Sequence, residues 1–230
     1  MSSVTLTGLL LIALPVAFNV AFALLAARFE YPDILRRPTD EVLEKFREGG
    51  ASLILLWWAF ALTAVLLAPV VVLLSASVGD ADATLLAVAT TIGVLAAVVQ
   101  FLGLIRWPFL VPYLARVVAD PNVTPARREA VDVVFQSFNL YLGVAVGEHL
   151  GYALTGAWTF LMGAALTQTT QVPQWLGVAG IVIGPLLMVC ALEFVGRLEG
   201  NGWRAAALLT PIAYIAWSLW LIAVGVALIA

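Results

Sequence analysis

Five stretches of the chain contain no Asp, Glu, Lys or Arg: residues 1–27, 49–79, 83–105, 149–192 and 205–230. About 20 apolar residues span a hydrocarbon core ~30 Å thick, and a chain in lipid must satisfy its backbone groups internally, so each run has to be helical. The fourth run, 44 residues long, is too long for one crossing. Its break is Thr167-Gln-Thr-Thr-Gln-Val-Pro173, a polar turn ending in Pro.

Six transmembrane helices follow, near 4–27, 51–77, 83–105, 142–167, 174–196 and 204–229, in one all-α domain covering 1–230. Composition agrees: 63% of residues are hydrophobic and 11% charged, against ~25% charged in ordinary soluble domains. The first run reads as a retained helix and not a signal peptide, since Met1-Ser-Ser-Val-Thr5 has no basic n-region.

Basic residues set the orientation. Arg28, Arg36, Arg37, Lys45 and Arg47 lie between spans one and two, Arg106, Arg116, Arg127 and Arg128 between three and four, and Arg197 and Arg204 between five and six. The other connections have no Lys or Arg, so the positive-inside rule places the N-terminus and C-terminus outside. Two cytosolic connections are long enough for short helices. Thr39 reads as an N-cap before Asp40 and Glu41, with Gly49-Gly50 as the stop. Thr124-Pro125 caps a second helix that continues through Phe135 into span four. Between them, Arg106-Trp-Pro-Phe-Leu-Val-Pro-Tyr113 has the mixture of an interfacial stretch.

The inventory excludes much chemistry. One Cys (Cys190), one His (His149) and one Lys (Lys45) leave no disulfide, no multi-His or Cys metal site and no intramembrane Schiff-base lysine. No cofactor motif is present, and a net charge of −3 gives no footprint for nucleic acid. The expected partners are the lipid bilayer and either a second copy, as a homodimer, or a partner membrane protein.

Span four carries Gly143, Gly147, Gly151, Thr155, Thr159, Gly163 and Thr167 at four-residue spacing. Small residues let backbones approach closely, and span five offers Gly177, Gly180 and Gly184, so an antiparallel four-five hairpin is expected, with a homodimer face as the alternative. At 100° per residue, Ser137, Tyr141, Glu148, Tyr152, Thr155 and Thr159 share a sector of about 60°. Glu148 and Glu193 each lie about 28 Å from the outer end of their helix, and Asn19 and Gln100 at about 22–24 Å. The sharp reading is a cytosol-facing cavity lined by Glu148, His149, Glu193, Gln100, Asn19 and Tyr152, binding or transporting a small molecule, lipid or ion.

Blander readings stand beside it. Glu193 has Arg197 four residues on and can pair with it, Glu148 can pair with Arg106 or Arg116, and His149 can be a packing residue pointing 100° away from Glu148. Trp57-Trp58 either walls the cavity or forms an interfacial belt with Trp107 and Trp203. A structural or regulatory subunit is the alternative function. A lipid-modifying enzyme with Glu148 and His149 as acid and base is weaker, because no nucleophile lies within a turn of His149.

The stretch Phe138-Asn-Leu-Tyr-Leu-Gly143-Val-Ala-Val-Gly147-Glu148-His149-Leu-Gly151-Tyr152, with Ala157-Trp158-Thr159, resembles bacterial and archaeal membrane proteins grouped as domain of unknown function 4386. That resemblance implies a prokaryotic, multi-pass inner (plasma) membrane protein of about six or seven spans and no established catalytic residues.

Overall fold

The computed structural model describes residues 2–198 and 200–230, and of Arg197 the backbone alone. Among the described residues every regular element is helical. In order they are α1 (Ser3–Phe29), a 3-10 turn (Asp33–Arg36), α2 (Thr39–Val65), α3 (Leu67–Ser77), α4 (Ala83–Phe109), α5 (Val111–Val118), α6 (Pro125–Phe138), a π-helical segment (Asn139–Leu150), α7 (Gly151–Leu166), α8 (Gln174–Cys190), a 3-10 turn (Gly196–Leu198) and α9 (Arg204–Ile229). Five helical stretches are long and apolar enough to cross a membrane: Ser3–Phe29, Thr39–Ser77, Ala83–Val118, Pro125–Leu166 and Arg204–Ile229. The sixth, α8, is apolar but only 17 residues long.

Local chemistry explains most boundaries. Ser2 and Asp82 cap α1 and α4 by accepting from Thr5 N and Leu85 N, and Thr124 caps α6 by accepting from Arg127 N, as expected. The expected cap at Thr39 is not formed. Thr39 is the first helical residue after Pro38, and its hydroxyl donates to Asp132 instead, tying the start of α2 to α6. Gly50 does stop the short helix that begins at Thr39, adopting φ 57° and ψ −151°, a region open only to glycine, after which the helix resumes at once. Pro69 supplies no N–H for the Val65 carbonyl, and the helix is interrupted there, dividing span two into α2 and α3.

α1 ends at Glu30, which sits at φ 55° as a left-handed C-cap and whose carboxylate holds Arg37 and Lys45. Span five also departs from expectation. Helix α8 stops at Cys190 rather than 196, and the chain turns through Glu193, whose carbonyl accepts from Trp203 N at 2.7 Å. A helical Glu193–Arg197 pair therefore has no helix to stand on, and the Arg197 side chain itself lies outside the described residues.

The helices pack in a ring in which sequence neighbours touch, and α9 closes it against α1. Gly8 lies against Gly225, where a Cβ on either would stand 2.6 Å from the other's carbonyl oxygen, so this seam admits nothing larger. At the same end of the bundle the two non-basic connections clasp: Thr169 Oγ1 donates to Asp80 at 2.6 Å, and Asp82 N donates to Gln168 Oε1 at 3.0 Å. The core has two halves. One centres on Trp158, Met162, Trp217 and Trp220, the other on Phe29, Phe46, Trp57 and Trp107. The outer face is apolar, with Val20, Leu55, Leu102, Val182, Leu208 and Ile212 all exposed, as lipid-facing positions require.

Trp107 is not an interfacial belt residue. It is buried and stacks on Trp57, ring centroids 4.4 Å apart and planes 10° from parallel, while Phe29 packs edge-on against both. Trp58 is exposed on the outer face and Trp203 is exposed near the start of α9, so neither joins this cluster.

Candidate functional site

The π-helical segment decides which side chains meet. Its wider turn, with i→i+5 hydrogen bonding, shifts every residue from the 100° spacing of an α-helix. The expected polar stripe is accordingly not one face. Tyr141 is exposed on the outside, whereas Thr155 and Thr159 are fully buried.

The glycine ladder divides at the same place. Gly143, Gly147 and Gly151 face α4, where added Cβ atoms would meet the Arg106 guanidinium, Gly103 Cα and the Gln100 side chain at 2.5, 3.0 and 2.8 Å. These three do not belong to the four-five hairpin. Gly180 and Gly184 do, lying against Gly163 and Gly156 of α7, where an added Cβ would come within 2.9 Å and 2.5 Å of backbone atoms. In an α-helix a four-residue row turns by 40° per step, which carries the ladder from α4 round to α8 between Gly151 and Gly163. Gly103 and Gly156, off the ladder, complete the two contacts.

At the end of the bundle that holds the basic connections, a cavity of about 270 Å³ opens between the π segment and the turn after α8. Glu148, His149, Tyr152 and Glu193 line it together, with aliphatic walls from Leu140, Val144 and Val195. His149 and Glu148, adjacent in sequence, thus share one space. The His149 ring is fixed: a carbonyl oxygen only accepts, so Nδ1 donates to Ala191 O at 2.7 Å, and in the neutral ring Nε2 is left as an acceptor. This bond also ties the π segment to the turn that carries Glu193.

Two expected members lie elsewhere. Gln100 Nε2 donates to Thr155 Oγ1 at 2.9 Å, inside the α4–α7 contact. Asn19 Nδ2 donates to Ser218 Oγ at 3.0 Å and to Pro15 O at 2.7 Å, joining α1 to α9. Both are structural hydrogen bonds between helices, and neither residue lines the cavity.

Glu148 has no hydrogen bond and no ion pair among the described residues. Arg106, an expected partner, bonds instead to Asn139 Oδ1 at 3.0 Å and to Gly103 O, and its guanidinium lies 5.3 Å from the Trp107 ring centre. The Glu148 charge still reaches inward. Burial first, then the Glu148 carboxylate, pushes the Tyr31 phenol above its ordinary range, with Arg106 opposing. At the rim, burial raises the Glu193 carboxyl and the Arg36 charge opposes it. Tyr152 packs edge-on against Tyr214 at 5.1 Å, which stacks on Phe18, so aromatic faces continue inward from the carboxylate.

Chemically, the cavity offers two carboxylates, an imidazole acceptor and a phenol within hydrocarbon walls. No group of three His, Cys, Asp or Glu residues able to hold a metal ion occurs among the described residues. Sequence reasoning named Glu148, His149, Tyr152 and Glu193 of this lining but missed Cys190, the last residue of α8, and Phe194 in the turn beyond it.

No curated protein and no solved structure matches the chain. A family model described as Domain of unknown function (DUF4386) matches residues 6–225, nearly the whole length, carrying both the ring of helices and the cavity. The chain belongs to that family, whose biochemical activity is unassigned.

Proposed function

We propose that this is an inner-membrane protein that crosses the bilayer six times, both termini outside, and binds or transports a small cation or cationic amphiphile through the cytosol-facing cavity at Glu148. Support for the sixth crossing comes from the ends of α8: Pro173 lies beside the clasped non-basic connections and Ala191 at the basic end. Its 17 residues span about 26 Å, and the flanking turns make up the remaining thickness. Orientation rests on the eleven basic residues, which all fall at or near the end opposite both termini.

The observation that carries the functional reading is the unpaired Glu148 carboxylate in a shared cavity with Glu193 and His149 Nε2. Glu148 is half-buried, and a carboxylate without a partner among aliphatic walls is costly, a cost that a bound cation relieves. The aliphatic walls suit an apolar tail, and the Tyr152 ring suits a cationic head. Apolar side chains flank the opening, with Leu140 and Tyr141 exposed on the π segment, so an amphiphile can enter from the inner leaflet.

The test is thermal unfolding in detergent with hexylammonium or hexylsulfonate, probes of matched apolar length and opposite charge. Hexylammonium at one hundred times its Kd adds about 2.7 kcal/mol of stability, a shift of several degrees. The expected result is a shift with the cation alone, lost in Glu148→Gln. Equal shifts with both probes, or an undiminished shift in Glu148→Gln, rule the site out.

A further inference from the structure

A second hollow, of about 330 Å³, lies at the corner between α5 and α6 and has the opposite chemistry. Arg116 and Arg127 line it with Tyr113, Asn122 and Thr124. Neither arginine takes part in an ion pair among the described residues. Asp120 also lines the hollow, but its carboxylate accepts from Asn122 N at 2.9 Å, in the local turn. From residue 106 to 128 the chain carries four arginines against this single acid.

Depth identifies the surroundings. Phe109 and Tyr113 are exposed, by 70% and 52%, on the face of the corner opposite the buried Val111 and Leu114. Aromatic side chains exposed beside arginines mark the headgroup level, where lipid phosphates lie. Val117 and Val123 give the hollow apolar walls, which a free phosphate ion does not use and a glycerol backbone does.

We infer that this corner seats the phosphate of an anionic membrane lipid between the guanidinium groups of Arg116 and Arg127, with its glycerol against Val117 and Val123. Guanidinium pairs phosphate through a planar fork of N–H donors, and two arginines with no carboxylate pairing hold that geometry open. The inference is independent of the Glu148 cavity, which shares no lining residue with this hollow and is proposed to take the opposite charge.

The experiment uses the full chain, purified in detergent and stripped of lipid, with binding read by native mass spectrometry. The probes are short-chain phosphatidylglycerol, short-chain phosphatidylcholine and inorganic phosphate. Arg116→Gln/Arg127→Gln is the test variant. Arg28→Gln/Arg204→Gln removes the same charge from other connections at exposed positions. Phosphatidylglycerol is expected to bind about tenfold or more tightly than phosphatidylcholine, and the test variant to weaken it about 30-fold, two basic groups at about 1 kcal/mol each. The control variant should stay within about twofold of wild type. Equal losses in both variants, no preference between the lipids, or inorganic phosphate binding that phosphatidylglycerol does not displace would each overturn the assignment.

Discussion

Replacing Gly163 by Ala separates two accounts of the small-residue ladder by the sign of the effect. An added Cβ would stand 2.6 Å from Ile181 N, 2.7 Å from Gly177 O and 2.8 Å from Gly180 C, all backbone atoms that cannot swing aside. Ordinary contact begins near 3.4 Å, so α7 and α8 must part by about 0.8 Å. A gap of that size forfeits a quarter to a half of each dispersion contact; over about 40 atom pairs at ~0.15 kcal/mol this is about 1.5–3 kcal/mol. Alanine returns up to about 1 kcal/mol of helix propensity, leaving a net loss of about 0.5–2 kcal/mol. Unfolding by titration with SDS, followed by circular dichroism, reads this directly, with Gly79→Ala, whose Cβ meets nothing nearer than 3.6 Å, as the neutral control. If Gly163→Ala is more stable than wild type, propensity rather than packing governs the position and the close α7–α8 contact is refuted.

Three further outcomes follow from particular contacts. The Trp57–Trp107 stack at 4.4 Å should give an exciton couplet in near- and far-ultraviolet circular dichroism; Trp57→Phe should abolish it and cost about 0.5–1.5 kcal/mol, and an unchanged couplet would refute the stack. Lys45 and then Arg37 hold the Glu30 carboxyl below its ordinary range. A depressed carboxyl contributes stability that is complete above its unfolded value and is lost as pH falls through the folded one, so the wild type should lose melting temperature on acidification more steeply than Glu30→Gln, and parallel curves would contradict this. A periplasm-active reporter joined after Ala230 should be active and one placed after Gly200 inactive; the reverse pattern would overturn the orientation.

How much was legible in the sequence depends on which residues act through distance along the chain and which through helix geometry. Charge-free runs marked the five helical stretches long and apolar enough to cross a membrane, and the polar turn ending at Pro173 marked the start of the shorter α8, because backbone in lipid must bond internally. Caps at Ser2, Asp82 and Thr124 and the stop at Gly50 are local chemistry; Thr124 stands before Pro125 and Gly50 after Gly49, signals that Ser2 and Asp82 lack. Thr39 misled because it is already helical, with Pro38 in the cap position, and its hydroxyl accepts from Gln136 Nε2 and donates to Asp132, 93 residues away. The π segment was illegible. Its residues, rich in glycine and aliphatic side chains, carry no signal that separates a wide turn from an ordinary one, and every angular inference through 139–150 inherited the error. Glu148 and His149, divergent by that spacing, nevertheless line one cavity. Gly143, Gly147 and Gly151 face α4 and not α8 because a four-residue row turns by 40° at each step, a drift that even spacing in the sequence does not display. For Asn19 and Gln100 a depth along the helix says nothing of azimuth, and each has a hydroxyl partner on an adjacent helix.

The central claim is that the space beside Glu148 is open to water and selects positive charge. Ala145 lines it, is exposed, and lies one helical turn from both Glu148 and His149. With Cys190 replaced by Ala, an Ala145→Cys variant presents a single thiol, to be reacted with methanethiosulfonate reagents bearing either a trimethylammonium or a sulfonate group. The expected result is faster reaction with the cationic reagent by about tenfold, two charges acting across a low-dielectric wall, with the ratio falling toward that of a free thiol in Glu148→Gln/Glu193→Gln. Equal rates with the two reagents, or a cationic preference that survives removal of both carboxylates, would contradict the account.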